Sequence, residues 1–312
     1  MIIESLIKHK VSIFSEIPSE VQIQNNYLFW VHNELFNYLK NSLRLKAKDN
    51  IVVFDSYNYI NYCRYIVGEF INFKYQKDKK GNFVEINVKK FFQTKLSNPI
   101  INLYVVPPKN RYLNDLVANV VQLPVDTLYF FPSEYMVVNI KEITKKIDKI
   151  KDIIFWNSIY VSKYYNVNFK VIDNFKEFVE HLKFYDWIIV FHPYTDLTVS
   201  DFFKLTKINE LFNNFSKKQD LIQKIKEEKF KIAITIGPEG GFSNKEINIF
   251  KEHNAFILRF DFIENIIKTE LAANIGVSQL LTIFNYLIKT WFIFLHFFYN
   301  YKLFFIWFYI IP

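Results

Sequence analysis

The segment ITIGPEGGFSNKEI, residues 234–247, concentrates Gly237, Gly240 and Gly241, three of the chain's six glycines, into five positions. Glycine has no Cβ, so main chain built from it adopts positive φ and approaches a ligand closely. Amides and carbonyls bared in this way can read an adenine and a ribose without side chains. A tight strand-to-helix turn needs one glycine or two; three with Pro238 exceed that need. The glycine-rich loops G-x-G-x-x-G and G-x-x-x-x-G-K-[ST] are both absent, which excludes the dinucleotide and P-loop readings.

The elements around the loop say where it must sit. FKIAITI, residues 230–236, is a continuous apolar run of the kind found in buried parallel strands. Ser243 and Glu246 fit the S-x-x-E capping box of a helix start. The loop is therefore expected at the carboxyl end of a parallel strand, facing a helix N-terminus, where open α/β sheets bind ligands.

The rest of the chain divides in rhythm. Up to about Lys95, the short strands IVVF (51–54), CRYIVGEFINF (63–73) and FVEINV (83–88) follow a short helix, NELFNYLKNSL. From Ile100, the apolar strands INLYVV, DTLYFF, FKVI, WIIVF, FKIAITI and AFILRF alternate with helical segments. These include RYLNDLVANVVQL, residues 140–156, NFKEFVEHLKF, a polar stretch at about 200–229, a helix after Ser243 and a long one from about Ile266. Alternation of this kind predicts an α/β fold with a parallel sheet covered on both faces. The expected units are a small β-rich domain at 1–95, an α/β domain at 100–289 and a hydrophobic extension at 290–312.

Composition bounds the function. Hydrophobic residues make up 51% and charged residues 22%, a globular mix, with a formal net charge of +8 that suits a phosphate-bearing partner. Abundant Phe, Tyr, Ile, Asn and Lys, with only four arginines, match A/T-rich codons. The single cysteine, Cys63, excludes an intramolecular disulfide and reads as a small buried side chain; the scattered histidines lack ligand spacing, so no metal is expected. MIIESLIKHK is not a secretory signal, and a cytoplasmic location is the expectation. In WFIFLHFFYNYKLFFIWFYIIP (291–312), His296, Asn300 and Lys302 interrupt the middle, so an appended segment ranks above a membrane anchor.

IGPEGGFSNKE followed by IIKTELAAN (266–274) closely resembles the signature pair of the RsmE family. Its members are knotted SPOUT-class methyltransferases that act on N3 of a uridine in small-subunit (16S) ribosomal RNA. The first block is nearly intact. In the second, Lys268 stands at the family's arginine, Leu271 at its second threonine and Ile263 at an upstream glycine. The resemblance extends weakly over about 30–285. FNYLKNSLRLKAKDNIVVFD (36–55) looks like the family's PUA-like RNA-binding domain, and PPKNRYLNDLVANVVQLPV (107–125) is similar to its following helix. There Asn119, Gln122 and Pro124 replace family residues, Ser162 and Tyr165 depart from a later block, and Tyr135 appears where arginine is usual.

The resemblance implies a PUA-like β-barrel before a SPOUT deep trefoil-knot domain acting as a homodimer. It implies S-adenosylmethionine held by Ile236, Gly237, Pro238, Glu239, Gly240 and Gly241, and by Phe262, Ile263, Ile266 and Ile267. Arg44, Lys46 and Lys109 are expected to contact RNA, with Lys40 and Lys48 as further lysines. Uracil N3 becomes nucleophilic only as its proton leaves, which a nearby cation favours and a carboxylate can accept. Lys268 and Glu270 are the candidates for these roles. The plain alternative is N-terminal capping, with Thr269 as cap and Glu270 favoured by the helix dipole. Glu239 is expected to fix the loop by bonding its own backbone. A second reading is a catalytically degenerate RNA-binding or ribosome-associated protein on the same fold, motivated by Gln122, Ser162 and Tyr165.

Overall fold

The structure, a computed structural model, describes residues 11–56, 62–76, 81–95, 99–161, 167–204, 224, 230–261 and 267–284. Lys224 and a short helix at Val199–Lys204 are what it describes of the polar stretch at 200–229. Ser162, Tyr165 and the extension at 290–312 lie outside these residues, as does the side chain of Cys63.

The first sheet holds β1 (Val11–Ser15), β2 (Asn26–Val31), β3 (Asn50–Asp55), β4 (Tyr62–Gln76) and β5 (Gly81–Lys95) in the order β1-β3-β4-β5-β2. Its pairings are antiparallel except for the parallel β1–β3 pair. The β4–β5 hairpin shifts register at Val67/Gly68 and Phe70/Asn72, and bulges of this kind bend a strand and increase its twist, curling the sheet into a half-barrel. Ile13, Phe29, Val52, Tyr65 and Ile86 fill its interior. β1 and β2 precede the expected short helix, α1 (Asn33–Asn37), which continues as a π-helical turn over Tyr38–Ser42. The sequence reading placed no strands there, so these two are a correction.

The second sheet holds β6 (Ile100–Val105), β7 (Thr127–Phe130), β8 (Asn168–Val171), β9 (Trp187–Phe191), β10 (Lys231–Ile236) and β11 (Phe256–Leu258). Its order is β11-β9-β10-β6-β7-β8, and every pairing is parallel, as the apolar runs predicted. Register aligns the six strand ends: Leu258 pairs with Phe191, Phe191 with Ile236, Ile236 with Val105, Val105 with Phe130 and Phe130 with Val171. All six carboxyl ends thus form one flush edge.

Helices cover both faces. α2 (Asn110–Val121) buries Leu113, Leu116, Val117, Val120 and Val121 on one of them. The segment expected as one helix at 140–156 is two, α3 (Ile140–Thr144) and α4 (Ile147–Tyr160). Ile150 and Ile154 of α4 enter the parallel-sheet core, whereas Ile159 enters the half-barrel core with Phe155 and Trp156 packed against it. One helix therefore seals both sheets. On the opposite face, α5 (Phe175–Leu182) and α7 (Asn244–Glu252) bring Phe178 and Phe250 against Phe131 and Phe242. α6 (Val199–Lys204) is short, and α8 occupies residues 269–284.

The capping box at Ser243 forms as predicted: Glu246 N–H donates to Ser243 Oγ at 3.3 Å, and Ser243 N–H donates to Glu246 Oε2 at 2.8 Å. The buried Glu246 carboxylate also accepts from Glu134 N–H at 3.0 Å and Ser133 Oγ–H at 3.3 Å. It ties the loop after β7 to the start of α7, beside the glycine loop. Glu246→Ala strands three donors, two of them buried, and the expected loss is about 3 kcal/mol of unfolding free energy in urea titration. A loss under about 0.5 kcal/mol contradicts the tie.

Candidate active site

Loops leaving β9, β10 and β11 enclose a cavity of about 210 Å³ at the flush edge. Phe191, His192, Pro193 and Tyr194 contribute from β9; Ile236, Gly237, Pro238 and Glu239 from β10; Arg259 and Phe260 from the end of β11. Ile267, Thr269 and Ala272 close it from the start of α8. The walls combine apolar surface with bare main chain, one guanidinium and one carboxylate.

Three contacts set the glycine loop. Gly241 N–H donates to the Pro238 carbonyl at 2.8 Å, closing the turn. Gly241 has φ +79°, and a Cβ there would lie 2.7 Å from His192 Nδ1, so conformation and space both demand glycine. The Phe242 ring backs the loop, 2.9 Å from where a Gly237 Cβ would stand. At Gly240, in contrast, nothing lies within 4 Å of an added Cβ. Nothing among the described residues demands glycine at this position.

α8 begins against the same loop. Its first turn closes on the Lys268 carbonyl, which accepts from Leu271 N–H at 3.0 Å and Ala272 N–H at 2.9 Å. Thr269 is not the cap: its buried hydroxyl donates to the Gly237 carbonyl at 3.3 Å and pins the helix start to the cavity wall. Lys268 is exposed and extends to α2, where its Nζ donates to Tyr112 Oη at 3.2 Å and lies 4.3 Å from the ring centroid. Among the described residues Glu270 Oε2 is buried without a hydrogen-bond partner, which leaves it an unused acceptor next to the site.

The predicted residues thus divide. Ile236, Gly237, Pro238, Glu239 and Ile267 line the cavity, and Gly241 stands behind it against His192. Glu239 is exposed on the wall, and the loop is closed by the Gly241–Pro238 bond in place of the expected Glu239 self-bond. Phe262, Ile263 and Ile266 fall outside the described residues. Lys109 is exposed at the N-cap of α2, beside Tyr112. Arg44 and Lys46 are exposed on a turn of the first sheet, in which Lys46 N–H donates to Asp49 Oδ2 at 2.7 Å. Asn119 and Gln122 lie in or just past the last turn of α2, about 15–20 Å along its axis from Lys109.

Sequence reasoning missed His192, Tyr194 and Arg259, which no motif marks; their only signal was position just past a predicted strand. Among the described residues, no group of three His, Cys, Asp or Glu side chains is placed to hold a metal.

His192 carries a pH signature. Its Nδ1 accepts Phe242 N–H at 3.3 Å, so the neutral ring holds its proton on Nε2. Burial pushes the imidazole below its usual value of 6.5. Below about pH 6.5 the unfolded chain takes up a proton that the folded ring refuses, until pH reaches the lower folded value. Stability from this group is therefore complete above about 6.5 and declines below it. Urea midpoints of the parent from pH 8 to pH 5 should show this decline, and His192→Gln should remove part of it. Equal slopes in the two proteins contradict the assignment.

Comparisons with known proteins fit this geometry. A family model described as an RNA methyltransferase domain matches residues 96–281. Ribosomal RNA small subunit methyltransferase E of Buchnera aphidicola subsp. Acyrthosiphon pisum (strain APS) is 23% identical over 274 residues, covering 85% of this chain and 92% of that protein. A putative methyltransferase from Legionella pneumophila, solved with bound S-adenosylmethionine, superposes with a TM-score of 0.61 at 18% identity, covering 87% of this chain and 97% of that one. Ribosomal RNA small subunit methyltransferase E from Neisseria gonorrhoeae, also solved with S-adenosylmethionine, gives a TM-score of 0.61 at 15% identity, covering 88% and 98%. The half-barrel and parallel sheet match the arrangement of these structures, and the resemblance to the RsmE family is borne out. This chain belongs to the RNA methyltransferase domain family.

Proposed function

We propose that the protein is an S-adenosylmethionine-dependent methyltransferase acting on N3 of a uridine in small-subunit ribosomal RNA. Residues 1–95 form the RNA-binding unit and 100–289 the methyl-transfer unit in this reading, and the protein acts as a homodimer in the cytoplasm. The observation that carries it is the cavity at the carboxyl ends of β9, β10 and β11, walled by the main chain of Gly237–Glu239. Among the described residues no helix is long and apolar enough to cross a membrane.

The chemistry of the lining suits the cofactor. Ile236, Phe260 and Ala272 offer apolar surface to an adenine, and Gly237–Glu239 offer main-chain groups to its polar edge. Arg259 offers a guanidinium fork to the amino-acid carboxylate. When bound, S-adenosylmethionine supplies a methyl group on a sulfonium, so transfer depends mainly on aligning the attacking atom. Lys268 stabilises the negative charge that uracil develops as N3 loses its proton. Glu270, with an unsatisfied buried oxygen, accepts or positions that proton. Lys109, Arg44 and Lys46 contact the RNA.

Calorimetry should show saturable S-adenosylmethionine binding, and Arg259→Ala, which removes the guanidinium from the cavity wall, should weaken it at least about 10-fold. Mass spectrometry of ribosomal RNA should show a methyluridine lost on gene deletion and restored by the parent. Lys268→Met and Glu270→Gln should each restore it about 100-fold more slowly. Absence of cofactor binding in the parent refutes the reading.

A further inference from the structure

We propose that Tyr112 is a positioning residue for Lys268, holding its ammonium beside the cofactor cavity, whose wall includes both chain neighbours of Lys268. The inference rests on the methyl-transfer reading for the task given to Lys268, and on geometry alone for the contact.

Both ends of the contact stand on rigid supports. Tyr112 lies in the first turn of α2, one residue before the buried Leu113 and four before the buried Leu116. The residues just before it are held too, since Lys146 Nζ donates to Asn110 Oδ1 at 2.6 Å. Lys268 lies between Ile267 and Thr269, which both line the cavity, and Thr269 is bonded to Gly237. α2 follows β6 and α8 follows β11, so the pair reaches across the β10–β6 boundary of the sheet edge. β6 and β10 are the neighbours from which the chain departs in opposite directions, the kind of crevice in which α/β sheets bind ligands.

The chemistry explains the choice of a tyrosine. A lysine ammonium is a flexible point charge on a four-carbon stem, with three donors. One donor reaches Tyr112 Oη at 3.2 Å, while the ring, 4.3 Å away, attracts the charge. A further donor stays available for an acceptor, here a carbonyl oxygen of the deprotonating base. The Arg111 guanidinium stands 4.5 Å from the same ring, so two cations converge on one phenol. That density of positive charge over one ring calls for an anionic partner, and the RNA strand supplies one.

Three variants separate the contributions. Tyr112→Phe keeps the ring and loses the hydroxyl; Tyr112→Leu loses both; Lys268→Met removes the charge that Tyr112 holds. Single-turnover methyl transfer to ribosomal RNA at saturating cofactor should fall about 3-fold in Tyr112→Phe and about 10-fold in Tyr112→Leu, with cofactor affinity unchanged. In the Lys268→Met background, Tyr112→Leu should cost nothing further, because the two residues act as one unit. A second readout needs no turnover. Acylation of Lys268 by an N-hydroxysuccinimide acetate, followed by peptide mass spectrometry, should accelerate several-fold in Tyr112→Leu relative to the exposed Lys251. Equal labelling with and without Tyr112 overturns the proposal, as does a full Tyr112→Leu penalty in the Lys268→Met background. If the parent transfers no methyl group, the methyl-transfer reading falls, and the labelling rates alone decide whether Tyr112 positions Lys268.

Discussion

The register of the parallel sheet is the constraint on which the site depends. Five pairings align Leu258, Phe191, Ile236, Val105, Phe130 and Val171 at one level. Each next residue must leave the sheet at the same height, so loops far apart in sequence start as neighbours. A slip of one residue in β10 would turn Ile232, Ile234 and Ile236 towards the opposite face and move the glycine loop off this level. Those three side chains lie in the core against β6 and β9, which makes such a slip costly. The apolar core thus fixes where unbonded main chain is displayed.

Three loops then hold each other at that edge. His192, following β9, accepts from Phe242, following the glycine loop; Thr269, opening α8, donates to Gly237; Glu246 accepts from Ser133, Glu134 and Ser243. Each such bond is worth only about 1 kcal/mol net when both groups are neutral. Their value lies in distribution, since they couple the ends of β7, β9 and β10 and the start of α8. Ligand-reading main chain is costly to leave mobile, because ordering each residue at the moment of binding costs about 1–2 kcal/mol. Cross-bonding meets that cost during folding, and Gly241, locked by φ +79° and by His192, shows how little freedom remains.

Legibility in the sequence followed the physics of each feature. The parallel strands were legible because burial on both faces leaves an uninterrupted apolar run, as in KIAITI and WIIVF. The capping box was legible because its two side chains are three residues apart and bond locally. β1 and β2 were not, since VSIFS and NYLFWV show neither clean alternation nor flanking glycine turns, and only pairing with β3 and β5 makes them strands. In the site, the loop at 236–239 was legible from glycine density. His192 and Arg259 were not, because single residues after strands acquire meaning only when the sheet brings three such ends together. The alternative that made Thr269 the cap failed because the first turn closes on the Lys268 carbonyl, one residue earlier, while the Thr269 hydroxyl donates to a tertiary acceptor, the Gly237 carbonyl.

Charge placement follows a related logic. Arginine presents a planar fork that stays oriented once bonded, whereas lysine is a mobile point charge. Lys268 stands where the resembling motif has arginine, in a chain with only four arginines, so its orientation cannot come from the side chain itself. The structure shows another source: a phenol on the first turn of α2 that offers both an acceptor and a π face. Asn119 and Gln122, which also depart from the motif, lie near the other end of α2, about 15–20 Å along the axis from Lys109, where they touch neither the cavity nor this contact. A substitution that loses intrinsic rigidity therefore coincides with a neighbour able to restore it. That pattern is expected where constraint acts on the position of one positive charge, more than on the identity of the residue that carries it.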